Sequence, residues 1–410
     1  MARGLCVAGG VSPSAAETPI SDDSSVDWQR FSALVRRHRV APLIHRSNWA
    51  RSVGAPTWLL DELAREAGSA AVRALSLLAV QRDALLVLTD AGIDVIVLKG
   101  PPLAQEAYGT VAARHPGDLD LLVVPDRVVD AIWLLVRHGF EWRGLDLPVS
   151  MRPLDGGLAV LERAASLPLV KEAILGRDGV RLDLHWRLTE NPRLMPVQAR
   201  WLTTPRFVEA ASLSSPVLPS LPGWWFLMVH GTAHGWFRLK WLADLPMLAA
   251  RNPELLSAPA LEQTKRAGLE RCVACGLRVA DLLLGPFLPQ HAACWARCVP
   301  GVDRLVRRSL DALTHPALGD RHVSPAELVD HLATRMALRS DRRYRLAEAH
   351  AHLLQAARAQ LEPDPGVRAL ARGPLHWLAR RAPGGDSAGQ WPPVVPLSHE
   401  PDQTGRRPMQ

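Results

Sequence analysis

The stretch Arg114-His-Pro-Gly-Asp-Leu-Asp-Leu-Leu-Val123 decides the fold. Its apolar part, Leu119 to Val124, is a short run closed by Pro125, which predicts a buried strand. Residues two apart on a strand point to one side, so Asp118 and Asp120 share a face while Leu119 and Leu121 enter the core. Two carboxylates about 4 Å apart repel by roughly 4 kcal/mol at an effective dielectric of about 20. A proton or a metal ion is needed to relieve that repulsion. Mg²⁺ is the expected counter-ion, with Mn²⁺ as the alternative, because Mg²⁺ prefers one or two carboxylates plus substrate phosphates.

Working outward, Ile93 to Leu98 is a β-branched run after the Ala91-Gly92 turn, and predicts a strand that ends at Lys99-Gly100. Pro102 to Tyr108 is predicted as a short helix, and Val128 to His138 as a longer one stopped by Gly139. Val180 to Leu188 alternates strictly, with Arg181, Asp183, His185 and Arg187 on the polar face of a half-buried strand. Asp183 is therefore a candidate third carboxylate. Three carboxylates on neighbouring strands can hold two ions, the arrangement that activates an attacking oxygen and stabilises a leaving one in phosphoryl transfer. Asp-x-Asp alone is a common tripeptide. The order of strand, glycine turn, helix, Asp-x-Asp strand and later lone-Asp strand is what makes it informative.

Four stretches together resemble the bacterial uncharacterised nucleotidyltransferase family of the DNA polymerase β type superfamily. They are Val95-Ile-Val-Leu-Lys-Gly100, Arg114 to Val123, Leu182-Asp-Leu-His-Trp-Arg-Leu188, and His230-Gly-Thr-Ala-His234 with Leu239-Lys-Trp-Leu-Ala-Asp244. The likeness covers roughly residues 35 to 290. It implies an NTP bound as its Mg²⁺ complex and a nucleotidyl group passed to an unknown acceptor hydroxyl or phosphate. Asp118 and Asp120 match the family's metal-ligand positions. Asp183 matches the third, placed to bind the second ion and draw the acceptor's proton. Gly100 matches the glycine of the phosphate turn, yet here it is followed by Pro101-Pro102. That turn offers no hydroxyl and lacks two backbone donors, so Lys99 and Arg114 become the candidate phosphate cations, or else partners of the carboxylates. His185, on the face of Asp183, could orient that carboxylate or bind phosphate as a candidate substrate contact, or be an ordinary exposed strand histidine. His230, His234 and Asp244 are candidate substrate contacts too, read with Trp241 as one helical face, or as a packed helix whose polar groups bond one another.

The expected fold class is α+β: a small mixed nucleotidyltransferase sheet at 88–190, flanked by an N-terminal helical cap at 26–87 and a C-terminal helical domain at 191–360. In the cap, Phe31, Leu34 and Val35, then Leu59, Leu60 and Leu63, then Val72, Leu75 and Leu78 recur at helical spacing. Residues 144–175 carry Pro148, Pro153, Gly156 and Gly157 and read as irregular chain, and from Trp224 to about Gln360 the pattern is helical with one break near Gly285 to Pro289. Residues 1–25 and 361–410 are rich in Pro, Gly and Ser and read as disordered tails.

With 410 residues, 48% hydrophobic and 22% charged, wholesale disorder and a fibrous fold are excluded, and the interrupted run from Leu75 to Leu88 is too short to span a membrane. Five cysteines and no signal-like N-terminus lead to the expectation of a cytoplasmic protein without a disulfide framework. The net charge of +7 favours anionic partners, and Lys99, Lys171, Lys240 and Lys265 are the only lysines. Cys272, Cys275, Cys294 and Cys298 have zinc-like spacing, but Cys272 and Cys275 fall on the apolar helical pattern of Leu269 to Leu284, so core cysteines are expected over a metal site. Arg335, Arg339, Arg342, Arg343 and Arg345 with Tyr344 form a basic stretch, expected to be a solvated helix face. Aromatic residues are 5% of the chain, too few for the stacking platforms of a single-strand binder, and nucleic acid is not an expected partner. A catalytically weak nucleotide sensor or scaffold, or an RNA-binding protein using the arginines, are the alternative functions.

Overall fold

The computed structural model describes residues 26–145, 170–314 and 325–361. The tails expected at 1–25 and 361–410, apart from Leu361, and residues 146–169 of the stretch read as irregular lie outside the described residues.

The alternating and β-branched runs form one mixed sheet. Its strands are β1 Val95–Val97, β2 Leu119–Val123, β3 Glu141–Leu145, β4 Glu172–Arg177, β5 Val180–His185, β6 Arg206–Ala210 and β7 Leu213–Val217, in the spatial order β3-β4-β5-β2-β1-β7-β6. β2 runs parallel to β5 and β1 parallel to β7, while the other neighbours are antiparallel. Together with the helices this is the expected α+β class. The sheet does not stop at residue 190, however. β6 and β7 come from beyond it, and β7 covers the edge of β1 through Val97 and Val217. Two strands also lie at the rims of the stretch read as irregular, β3 ending in it and β4 starting in it.

Alternation gives the sheet two different faces. Val95, Val97, Leu119, Leu121, Leu182 and Leu184 lie on one, buried against the helices Thr57–Asp90 and Val128–Arg137 through residues such as Leu77, Leu88 and Ile132. Ile96, Leu98 and Leu122 lie on the other and join the larger core formed by the N-terminal and C-terminal helices. Asp120, Asp183 and His185 share the second face by the same period of two, so charge is held between sheet and helices.

The helix Thr57–Asp90 has 34 residues. Leu59 and Leu63 pack with Phe31, Val35 and Ile44, whereas Leu77 to Leu88 pack on the sheet. Val72 and Leu75 keep the helical spacing expected of them but are 65% and 57% exposed. Leu78, the third residue of that expected set, is buried, with Ala74 beside it on the inward face; hydrophobic period alone does not say which side a helix turns inward.

The C-terminal half contains more breaks than the single one expected. Helix Ser220–Ala233 stops at His234, where Gly235 and Trp236 adopt positive φ, and a new helix runs Leu239–Arg251. The sharp turn folds the Trp236 ring back onto Gly231 and Gly276, where a Cβ would collide with it. Its Nε1 donates to Thr232 Oγ1 at 3.1 Å. Trp224 and Trp236 are buried anchors. The arginine stretch is not one solvated face: Arg335 is buried, ion-paired to Glu190 and Glu348 at 2.6 and 2.8 Å, and Tyr344 is buried and donates to the Arg335 carbonyl. Arg342 and Arg343 alone of the stretch are exposed. Among the described residues no helix is long and apolar enough to cross a membrane.

Candidate active site

The parallel register of β2 and β5 sets Asp120 directly beside Asp183. Asp118, one residue before β2, completes the group. Ligand atoms of the three carboxylates lie within 4.8 Å of one another, and this is the one cluster of at least three such groups among the described residues. Asp120 and Asp183 are each 2% exposed, while Asp118 keeps partial access to solvent. The three acids named from sequence are therefore together, on the polar face of the sheet.

Lys99 and Arg181 are among the cations that touch them. Lys99, at the exit of β1, places Nζ 3.1 Å from Asp120 Oδ1 and 3.7 Å from Asp118 Oδ1. Arg181 donates Nε to Asp183 Oδ1 at 2.6 Å. Even so, Asp120 Oδ2 is buried and has no hydrogen-bond partner among the described residues. Burial pushes the Asp183 carboxyl well above the usual carboxylate range, and the neighbouring Glu172, Asp118 and Asp120 add to this against the pull of Arg181. An orphaned carboxylate oxygen within a crowd of acids is what a hard divalent ion would satisfy, since it takes oxygen ligands and offsets their mutual repulsion. The donor set fits such an ion.

Gly100 precedes the helix Pro101–Tyr108 with φ 96° and ψ −136°, a conformation that side-chain-bearing residues rarely adopt. A Cβ there would meet only Leu77 at an ordinary 3.7 Å. The glycine is required by the backbone angle, not by crowding, and Pro101 starts the helix where a missing N–H costs least.

Arg114 pairs with Asp244, with Asp118 close enough to act on its charge. It is 5% exposed and donates Nε to both oxygens of Asp244 at 3.0 and 2.9 Å, and Tyr108 donates its hydroxyl to Asp244 Oδ1 at 2.9 Å. Asp244 holds the Arg114 guanidinium above its ordinary value although burial opposes it. Beside this group Lys240 donates to the His115 carbonyl at 3.3 Å, its ammonium pushed well below the usual lysine range by burial and by Arg114. Helix Leu239–Arg251 thus clamps the segment that leads into Asp118.

The expected single face of His230, His234, Trp241 and Asp244 does not exist, because the chain turns between the two helices that carry them. His230, His234 and Trp241 instead form an aromatic cluster across that turn, with ring centroids 4.5 and 5.1 Å from His230. Asp244 belongs to the Arg114 group. His185 does lie at the acids: its Nε2 is 3.2 Å from Asp120 Oδ1 and its Nδ1 is 3.2 Å from Glu172 Oε2.

Three residues at the site were not singled out from sequence. Arg181 was legible as a member of the alternating polar face, and Lys240 as one of four lysines in the chain. Glu172 carried no local signal, since it matters only once β4 pairs with β5. Cys272 and Cys275 are buried and their thiols are pushed up by burial, Cys275 to about 12, in keeping with a core role.

No curated protein matches the chain. A family model described as Uncharacterised nucleotidyltransferase matches residues 24–285, more than half of the chain and the whole span from Lys99 to Asp244 discussed above. The chain belongs to the uncharacterised nucleotidyltransferase family.

Proposed function

We propose that the protein is a divalent-metal-dependent nucleotidyltransferase, moving a nucleotidyl group from an NTP to the hydroxyl or phosphate of a small molecule, sugar phosphate or peptide. The observation that carries this reading is the close group of Asp118, Asp120 and Asp183 with the unpartnered Asp120 Oδ2. In it, Asp118 and Asp120 would hold Mg²⁺ or Mn²⁺, and Asp183 a second ion. Bound there, such ions neutralise phosphate charge and sharpen the attacking oxygen.

The chain's own residues have separable tasks. Asp183 would take the proton from the acceptor oxygen as general base. Lys99 is the cation nearest the phosphates, and it can shift from the carboxylates to a phosphate oxygen as positive charge enters the site. Gly100-Pro101-Pro102 contributes shape, with no backbone donor from either proline. The Arg114–Asp244–Tyr108 group and Lys240 keep the Asp118 segment in place, which supplies positioning, the main protein contribution to phosphoryl transfer. The base and the acceptor belong to contacts that these residues do not specify.

The test is direct. The protein is incubated with each α-labelled NTP, Mg²⁺ and a cell extract, and labelled products are resolved. Label transfer that Asp118→Ala and Asp120→Ala remove is expected. Nucleotide binding without transfer would replace the enzyme with a nucleotide sensor on the same fold.

A further inference from the structure

We infer that Glu172 and His185 form a positioning pair that holds Asp120 in its cation-binding orientation. The inference rests on reading the three aspartates as a cation site, and adds residues to it that the acid pattern does not contain.

The geometry runs across three strands. Glu172 on β4 is the register partner of His185 on β5, and Asp120 on β2 faces Asp183 two residues earlier on β5. Because side chains alternate, Glu172, His185 and Asp120 fall on one face in a row. His185 bridges the row, with Nε2 hydrogen-bonded to Asp120 Oδ1 at 3.2 Å and Nδ1 3.2 Å from Glu172 Oε2, a charge contact outside hydrogen-bond geometry. The side chains of Glu172, His185 and Asp120 are 4%, 5% and 3% exposed. Lys171 closes the far end, its Nζ 2.5 Å from Glu172 Oε2. Despite the opposing effect of burial, Lys171 and His185 hold the Glu172 carboxyl below the usual carboxylate range.

A buried glutamate in a sheet has a high desolvation cost, and an apolar residue would pack there as well or better. What the row achieves is directional. His185 Nε2–H donates to Oδ1 of Asp120 from the β5 side while Lys99 approaches the same oxygen at 3.1 Å. Both contacts use Oδ1, so the carboxylate is fixed with Oδ2 left over, and Oδ2 is the oxygen without a partner. Outer partners that orient a ligand in this way are typically worth about 10- to 100-fold in metal affinity. Glu172 has no contact with Asp120 in the row and acts through His185.

Mn²⁺ binding to the full-length protein, measured without nucleotide by calorimetry and by water-proton relaxation, tests the pair. Wild type should bind Mn²⁺, and Asp120→Asn should not. His185→Asn, too short to reach Asp120, should weaken binding about 10- to 100-fold. His185→Gln, whose amide can still donate to Oδ1, should recover most of that loss, which a merely space-filling role would not predict. Glu172→Gln should weaken binding several-fold with an unchanged unfolding midpoint, and it carries the test should His185→Asn fail to fold. Affinities within twofold of wild type for His185→Asn, or for Glu172→Gln where the first does not fold, overturn the pair while leaving the cation site intact. A wild type that binds Mn²⁺ no better than Asp120→Asn overturns the site and the pair together.

Discussion

Two groups of buried charge stand near each other between the sheet and the C-terminal helices, and they are built in opposite ways. In the Arg114–Asp244–Tyr108 group each oxygen of Asp244 has a donor, and the positive and negative charges are matched. In the Asp118–Asp120–Asp183 group three acids crowd together, one of them keeps solvent access, and Asp120 Oδ2 is buried without a hydrogen-bond partner among the described residues. A closed group needs no ligand; an open one is stable only because rigid strands hold it. Satisfied buried charge is evidence of structure, and unsatisfied charge on a rigid scaffold is evidence of a task.

The largest effect should separate the two groups by what each one breaks. Asp120→Ala should lower label transfer by about 10⁴-fold or more, since metal-ligating acids act as a unit, while the urea midpoint stays or rises because repulsion is relieved. An Asp120→Ala protein that transfers label at more than a tenth of the wild-type rate would put the open group outside the chemistry.

Asp244→Ala should do the reverse. It leaves Arg114, 5% exposed, without its counter-charge, a change that costs roughly 3 to 5 kcal/mol of stability. Urea unfolding followed by circular dichroism checks it. Replacing both partners, as Arg114→Met with Asp244→Leu, should return part of the loss, because the isolated buried charge is gone. A double variant no more stable than Asp244→Ala would mean that the pair does more than balance itself, for instance by holding Asp118.

How far these groups were legible in sequence follows from the range of the interactions. Asp118, Asp120 and Asp183 were readable because a period of two and an apolar strand put them on one face with no knowledge of partners. Arg114 was visible as a cation near Asp118, but its partner is 130 residues away on a helix that no local pattern ties to it. The joined face of His230 and Asp244 failed for a related reason: the turn at Gly235 and Trp236 is made by a ring folding back onto Gly231 and Gly276, a tertiary contact. β6 and β7 are short elements, β6 at the sheet edge and β7 between it and β1, whose pairing, not composition, makes them strands. Glu172 shows the limit most plainly, since half of its meaning is the strand beside it.

An unpartnered polar group is not by itself a site, and His331 sharpens the comparison. Both of its ring nitrogens are buried without hydrogen-bond partners. Burial, with Arg335 and Arg308 nearby, lowers its pKa from 6.5 to about 3. A neutral ring can tolerate this where a carboxylate could not. The folded-state value lies below the unfolded one, so the group's contribution is present above about pH 6.5 and is lost as pH falls toward 3. Between pH 6.5 and 5 the loss should be about 2 kcal/mol. His331→Leu should flatten that part of the stability profile, and an unchanged slope would show that the ring is protonated in the folded protein.

The smallest effect belongs where the sequence pattern misled. Val72 and Leu75 look like core residues by spacing and are mostly exposed on the long helix Thr57–Asp90. Leu75→Gln removes little buried surface and keeps a good helix former, so stability should change by no more than about 0.5 kcal/mol. Leu77→Gln, two residues on and 2% exposed between helix and sheet, places an amide among apolar partners and should cost several times as much. Equal losses at 75 and 77 would mean that the exposed side is covered in solution, and then the helix, like the aspartates, would have a partner still to be found.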